Sequence, residues 1–206
     1  MTTPRPSKIV CVGRNYLEHA RELGNEVPER PLLFLKPPSA LVEDGDAIVL
    51  PPESRQVEHE GEVAVIVGAR ARHVTRDRAM HYVAAFAPLN DVTARDLQKT
   101  DGQWTRAKGF DTFCPMGPAV PAERVDAAGL EVICRVNGEV RQHGYARDMA
   151  FDIPTLIAYV SSIMTLEPGD VIATGTPAGV GPLRPGDVVE VEIPGVGTLR
   201  NPVEAA

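Results

Sequence analysis

The sequence predicts an α+β fold dominated by β-structure, with only a few short helices. Two observations carry that expectation. Gly (18) and Pro (19) are numerous among the 206 residues and evenly spread, and they punctuate many short apolar runs, the pattern of strands joined by turns. Three segments also share one turn chemistry: Asp44-Gly45-Asp46, Pro168-Gly169-Asp170 and Pro185-Gly186-Asp187. In the last two, Pro sets φ at the first turn position; in all three, Gly supplies a positive φ at the next, so each reads as a tight turn feeding a strand.

In chain order, the first apolar run predicts a strand over Lys8 to Val12, followed by a short helix over Asn15 to Leu23 and a strand over Leu32 to Leu35. The first shared turn feeds a strand over Ala47 to Leu50, and the run Glu62 to Val67 reads as a central strand because it is apolar on both faces. A helix over Arg76 to Met80, a strand over Val83 to Ala87 and a helix over Thr93 to Gln98 follow, then a strand over Leu130 to Val136. From Ile153 to Met164 the apolar residues Ile153, Leu156, Ile157, Val160 and Met164 fall on one helical face, which makes this helix a structural one. The other two shared turns feed strands over Val171 to Thr174 and Val188 to Ile193, and Val203 to Ala206 are expected to fray. No composition shift or linker divides the chain, so a single domain over 1–206 is expected.

Composition narrows the function classes. The formal net charge of −7, with scattered Lys and Arg, argues against a nucleic-acid partner, which selects a clustered basic face. No run approaches the roughly 20 apolar residues needed to span a bilayer, and MTTPRPSK has no apolar export core, so a soluble protein without a membrane partner is expected. Cys11, Cys114 and Cys134 are odd in number and far apart, with no C-x-x-C pairing; neither a disulfide framework nor a thiolate zinc site is indicated, and a reducing cytoplasm fits. Cys114 has no partner base in the sequence and receives no role.

Several polar clusters could carry chemistry. In Glu58-His59-Glu60-Gly61-Glu62, the strand period of two sends residues 58, 60 and 62 to one face, where aligned carboxylates repel unless a cation or donors compensate them. A solvated strand end fits the same spacing. Asp91 stands between a strand and a helix; it reads either as an N-cap or as a third oxygen ligand beside Glu60 and Glu62. An all-oxygen set implies a hard cation, Mg²⁺ or Mn²⁺, with Ca²⁺ as a third candidate. His19 and Glu22, three apart on a short helix, suit either a general-base pair or an exposed surface pair. Lys108 lies between Trp104 and Phe110, where a desolvated ammonium could stabilise an oxyanion, though a lone loop Lys is as readily just solvated. Thr174-Gly175-Thr176-Pro177-Ala178-Gly179-Val180-Gly181 lets backbone N–H groups approach an anion, without the features of a P-loop or a dinucleotide fingerprint.

In this order the segments resemble the fumarylacetoacetate hydrolase superfamily, and within it the short acylpyruvate hydrolase and oxaloacetate decarboxylase type. The residues carrying the resemblance are Val12-Gly13-Arg14-Asn15-Tyr16 with His19 and Glu22, Phe34-Leu35-Lys36-Pro37, His59-Glu60-Gly61-Glu62, Asn90 to Gln98, Trp104 to Lys108 and Thr174-Gly175-Thr176-Pro177. It spans about 8–201, nearly the whole chain. The resemblance implies a mixed β-sandwich roll of the family's C-terminal-domain type, and Mg²⁺ or Mn²⁺ held by Glu60, Glu62 and Asp91. It also implies a catalytic set of His19, Glu22 and Lys108, substrate contacts from Arg95, Gln98, Gly175 and Thr176, and further contacts from Arg14 and Tyr16. A homodimer is implied as well. The expected activity is metal-dependent chemistry on small 2-oxo acids through an enolate: hydrolytic carbon–carbon cleavage of an acylpyruvate, or alternatively oxaloacetate decarboxylation, keto–enol tautomerisation or isomerisation of an unsaturated 2-oxo dioic acid. A non-catalytic 2-oxo acid or metal-binding protein is the competing reading. The polar segment between Glu22 and Pro31 departs from relatives and leaves substrate choice open.

Overall fold

The computed structural model describes residues 6–22, 24, 26 and 28–206. Its first strands are β1 (Ile9–Gly13), β2 (Leu32–Lys36), β3 (Leu41–Val42), β4 (Ile48–Leu50), β5 (Val57–His59), β6 (Gly61–Val67), β7 (Val83–Asn90) and β8 (Thr93–Ala94). There follow β9 (Cys114–Pro115), β10 (Val120–Pro121), β11 (Glu131–Val136), β12 (Glu139–Tyr145), β13 (Val171–Ala173), β14 (Gly181–Pro182), β15 (Val188–Ile193) and β16 (Gly197–Ala205). The α-helices are α1 (Leu17–Glu22), α2 (Arg95–Thr100), α3 (Thr105–Lys108) and α4 (Ile153–Ile163).

Two sheets share one core. The first has the order β10-β7-β6-β13-β1-β2 and is antiparallel except for β1 with β13; the second has the order β12-β11-β15-β16-β4, with β16 and β4 parallel. Side-chain alternation in β6 explains its unbroken apolar run. Val63, Val65 and Val67 join the core shared with Val132, Val191 and Leu199 of the second sheet, while Ala64 and Ile66 join a separate core with Ile9, Ala87 and Val171. A small sheet, β14-β5-β8, stands at the entrance to β6.

The shared turn chemistry is present three times. Gly45, Gly169 and Gly186 have φ of +88°, +89° and +93°. In each turn the closing Asp accepts, through Oδ2, the N–H of the residue three before it: Glu43, Glu167 and Arg184, at 2.8, 2.8 and 2.7 Å. The side chain thus locks the turn that its own backbone closes.

All eight expected strands are present, with ends shifted by up to three residues. The helix expected over Ile153 to Met164 forms as α4, capped by Asp152, which accepts Thr155 N–H at 3.0 Å. The expected end of the first helix, Leu23, lies outside the described residues; α1 itself covers Leu17–Glu22. Arg76–Tyr82 is 3₁₀ rather than α-helical. The helix expected from Thr93 begins at Arg95, because Thr93 and Ala94 first pair with Glu58 and Val57. The C-terminal end does not fray: Val203, Glu204 and Ala205 pair with Ile48, Val49 and Leu50, and Val203 is buried. The strands β12 and β16 were not expected, because charged residues on their exposed faces interrupt the apolar pattern.

Asp170 ties the N-terminal end of the described chain to β13. Its buried carboxylate accepts Ser7 N–H (3.0 Å), Ser7 O–H (2.6 Å), Lys8 N–H (3.1 Å) and Glu167 N–H (2.8 Å), and it pairs with the Lys8 ammonium. Burial pulls its pKa up, but these donors and the Lys8 charge hold it below the usual Asp value. A depressed folded-state pKa means that the stabilisation is full above the unfolded value of about 4 and is lost as pH falls through the folded value. Asp170→Ala is expected to cost about 3 kcal/mol in urea unfolding at pH 7, and Asp170→Asn to flatten the acid limb of the stability profile. Equal stability of Asp170→Ala and wild type would contradict this anchoring role.

Candidate active site

The site forms where β5 hands over to β6. Glu58, Glu60 and Glu62 are 6%, 5% and 2% exposed, which overturns the solvated strand end as a reading. Pairing of β6 with β7 sets Gly61 opposite Asn90, whose Oδ1 accepts Glu60 N–H at 2.9 Å, and Asp91 N–H donates to the Glu60 carbonyl at 2.8 Å. These bonds draw Asp91 alongside Glu60. Oxygens from Glu60, Glu62 and Asp91 lie within 4.8 Å of one another. Asp91 is no helix cap, since α2 starts four residues later behind Ala94, and its carboxylate is occupied by two lysines.

Three buried cations surround the carboxylates. Lys108 Nζ, delivered by α3, donates to Glu60 Oε2 (2.8 Å) and Asp91 Oδ2 (2.6 Å) and lies 4.8 Å from the Phe34 ring centre. Lys36 Nζ donates to Asp91 Oδ1 (2.5 Å) and the Val92 carbonyl (3.0 Å). Arg95 spreads its guanidinium over Glu58 Oε2 (2.7 Å), Glu60 Oε1 (2.5 Å) and Gln98 Oε1 (2.6 Å). Lys108 is therefore not a solvated loop lysine.

The charges do not balance locally. Four carboxylates (Glu58, Glu60, Glu62, Asp91) face three cations (Arg95, Lys36, Lys108), and the one without a cationic side chain among the described residues is Glu62. Among the described residues its Oε2 accepts only Gly175 N–H, at 2.7 Å. Burial, then Asp91 and Glu60, push the Glu62 pKa well above the carboxylate range. At Glu60 burial acts in the same upward direction, but Lys108 and Arg95 outweigh it and hold the pKa below its ordinary value. The same pairing raises Lys108 against the downward pull of burial. Without a metal, Glu62 is thus pushed towards holding a proton; a hard divalent cation suits this buried all-oxygen trio because it would take the place of that proton. Glu60, Glu62 and Asp91 are the residues that could hold it.

The cavity beside this cluster measures about 330 Å³ and is lined by His19, Arg14, Arg95, Gln98, Trp104 and Thr176, among others. His19 is 5% exposed, its Nδ1 3.2 Å from Glu22 Oε2, while Glu22 itself stays exposed, so the pair joins a buried imidazole to a surface carboxylate. Glu22 in turn accepts Gly179 N–H at 3.1 and 3.2 Å, which docks α1 onto the loop after β13. Gly175 in that loop has φ +99°, and a Cβ there would sit 2.8 Å from Asn15 Cβ, so the approach of its N–H to Glu62 requires glycine. Arg14 is held at φ +58° on the cavity wall, a strained position for a non-glycine residue.

The structure gathers Glu60, Glu62, Asp91, Lys108, Arg95, Gln98, His19, Thr176 and Arg14 around one cavity. Glu22 and Gly175 touch this set through His19 and Glu62. Tyr16 does not line the cavity; it is buried, a Cβ on Gly144 would lie 3.4 Å from its ring, and its hydroxyl has no partner among the described residues. Burial and Glu62 raise its pKa. Cys114 is buried and its thiol is pushed up to about 12 by desolvation, an unreactive state. Sequence reasoning placed Glu58 on the same strand face without giving it a role, and missed Lys36 as a member of the cluster. The signal for Lys36 was a lysine ending an apolar strand, a position that burial makes costly without a carboxylate partner.

Fold and site together define a β-rich protein with a buried oxygen-donor cluster at a cavity walled by cations, suited to a divalent cation and a small organic acid. The chain belongs to the fumarylacetoacetate hydrolase family: the family model described as fumarylacetoacetate (FAA) hydrolase C-terminal matches residues 8–204. It is 48% identical over 203 residues to the mitochondrial oxaloacetate tautomerase of Arabidopsis thaliana, covering 96% of this chain and 91% of that protein. It is 45% identical over 197 residues to the mitochondrial oxaloacetate decarboxylase of Dictyostelium discoideum, covering 93% and 90%. Among solved structures, fumarylpyruvate hydrolase from Pseudomonas aeruginosa in complex with Mn²⁺ and pyruvate superposes with a TM-score of 0.93 at 31% identity, covering 98% of this chain and 91% of that one. The β-rich sandwich with few short helices is thus the family's fold. Among the described residues, no helix is long and apolar enough to cross a membrane.

Proposed function

We propose that this protein is a divalent-metal-dependent enzyme acting on small 2-oxo acids, with hydrolytic cleavage of an acylpyruvate to pyruvate and an acid as its reaction. The observation that carries the reading is Glu62, the member of the Glu60–Glu62–Asp91 trio without a cationic partner among the described residues, beside a buried His19 held by Glu22. Mg²⁺ or Mn²⁺ bound there would supply Lewis-acid stabilisation of negative charge on the 2-oxo acid. The Mn²⁺ complex of the Pseudomonas relative supports this choice of metal.

The chain's own groups divide the remaining work. Glu22, fixed by Gly179 N–H, orients the His19 ring through Nδ1, leaving the other ring nitrogen to take a proton from water at the cavity. The water oxygen then bonds to the distal carbonyl carbon, and the electron pair of the broken carbon–carbon bond leaves on pyruvate, which regains a proton. Lys108 and Arg95 stabilise the negative charge that develops, and Arg95 and Gln98 together with the Gly175–Thr176 loop position the acid's oxygens. Catalytic roles thus fall to His19, Glu22 and Lys108, and metal ligation to Glu60, Glu62 and Asp91. Arg14 contacts substrate from the cavity wall.

A second reading, oxaloacetate decarboxylation or keto–enol tautomerisation, is favoured by the higher identity to relatives named for oxaloacetate. It uses the same charge stabilisation without the attacking water. In either reading, residues 1–206 act as one domain, a homodimer is implied by the family resemblance, and three buried free thiols (Cys11, Cys114, Cys134) suit a reducing cytoplasm.

Acetylpyruvate, fumarylpyruvate and oxaloacetate, each with Mg²⁺ and Mn²⁺, test the reading through pyruvate release and enol absorbance. His19→Ala is expected to lower acylpyruvate hydrolysis by about 10²–10⁴-fold while pyruvate still binds. Hydrolysis at the wild-type rate in that variant would remove the general-base role. No turnover of any of the three substrates would leave a 2-oxo acid or metal-binding protein.

A further inference from the structure

One fully buried side chain outside the cation-walled cavity grips the active-site loop. Gln142, in β12, has no exposed surface. Its Oε1 accepts Gly61 N–H at 2.9 Å and lies 3.0 Å from His59 Nδ1, while its Nε2 donates to Thr176 Oγ1 and to the Pro177 carbonyl, both at 2.7 Å. Both amide donors and both acceptor positions are therefore used. The backbone partners settle which end is which, since the Gly61 N–H only donates and the Pro177 carbonyl only accepts. With the amide so oriented, His59 carries a proton on Nδ1. Thr176, receiving a hydrogen bond from Gln142, gives its own hydroxyl proton to the Gly61 carbonyl at 2.8 Å.

We infer that Gln142 is a positioning residue that fixes the place and hydrogen-bond polarity of the Gly175–Pro177 loop, so that the Thr176 hydroxyl meets a ligand only as an acceptor. Thr176 lines the cavity, and with its proton committed it has a lone pair to offer there. Such a group suits a ligand hydroxyl or a water and is unsuited to a carboxylate oxygen, which is left to the cationic side chains and backbone N–H groups. The ligand half of this inference rests on the 2-oxo acid reading of the site; the loop half does not.

Gln142→Glu separates the two. It keeps an acceptor for Gly61 and His59 but sets a second oxygen against the Pro177 carbonyl. Amide exchange at residues 174–178 in the metal-free protein is expected to accelerate about tenfold. With saturating Mn²⁺, affinity for lactate, whose hydroxyl can donate to Thr176, is expected to fall about tenfold, while affinity for pyruvate, which has no donor, kcat and Mn²⁺ affinity change less than about threefold. Adding Gln142→Glu to Thr176→Val is expected to weaken lactate less than in the wild-type background, because the two residues share one bond. Thr176→Val alone reads the same polarity from the other partner and keeps the test open if Gln142→Glu does not fold. Unchanged exchange at 174–178 overturns the inference whatever the substrate. Equal loss of Mn²⁺ and lactate affinity also overturns it, because Gln142 would then support the metal ligands instead. Accelerated exchange in a protein whose wild type binds no pyruvate upholds the loop assignment and removes the 2-oxo acid reading.

Discussion

Lys108→Met is expected to reduce turnover of 2-oxo acid substrates by about 10²–10³-fold and to destabilise the metal-free protein by about 3–5 kcal/mol. The reason is geometric. Lys108 Nζ is the bridge between Glu60 Oε2 and Asp91 Oδ2, at 2.8 and 2.6 Å, with all three residues buried. Methionine keeps most of the stem volume against Phe34 but leaves two buried carboxylates facing each other without that charge. Mn²⁺ is expected to restore much of the stability, since a divalent cation supplies the missing charge to the same oxygens, and not the activity. Unfolding in chelator and in Mn²⁺, paired with rates on oxaloacetate and acetylpyruvate, separates the two effects. Wild-type turnover of the Mn²⁺-loaded variant would show that Lys108 serves only to hold the acids together.

Glu62→Gln is expected to move stability and metal affinity in opposite directions. Glu62 is buried beside Glu60 and Asp91, with only Gly175 N–H as partner among the described residues. Glutamine can keep that bond through its Oε1 and needs no proton taken up on burial, so the metal-free variant is expected to gain about 1–2 kcal/mol at pH 7. Mn²⁺ affinity is expected to fall about a hundredfold or more, since one of three charged ligands is lost. Urea midpoints in chelator and calorimetric Mn²⁺ titration read the two quantities separately. A variant that loses metal-free stability, or that binds Mn²⁺ as tightly as wild type, contradicts the assignment of Glu62 as the uncompensated member of a cation site.

Much of this was legible in the chain. The β-rich class followed from Gly and Pro spacing, and the three Asp-closed turns followed from local backbone preference, which neighbours in sequence suffice to set. The pairing of His19 with Glu22 was legible because helical spacing alone puts residues three apart in reach. The Glu60–Glu62 pair was legible as a spacing, but spacing fitted a solvated strand end equally well. Strands β12 and β16 were hidden by charged residues on their outer faces, and so was the fate of Val203–Ala205, whose partner β4 lies more than 150 residues earlier.

The sequence by itself determined which residues could carry the chemistry: a run of carboxylates entering an apolar strand, a lysine between aromatics, a histidine one helical turn from a glutamate. It did so because secondary-structure period and turn chemistry are local. Only the tertiary structure decided that Asp91 abandons a helix cap for two lysines, that Lys36 and Glu58 belong to the cluster, and that Glu62 is the one carboxylate left without a cation. Those outcomes depend on pairing between distant strands and on the loss of water around the paired groups. Burial turns a spacing of acids into a site with a definite charge deficit, and the deficit is what points to a metal.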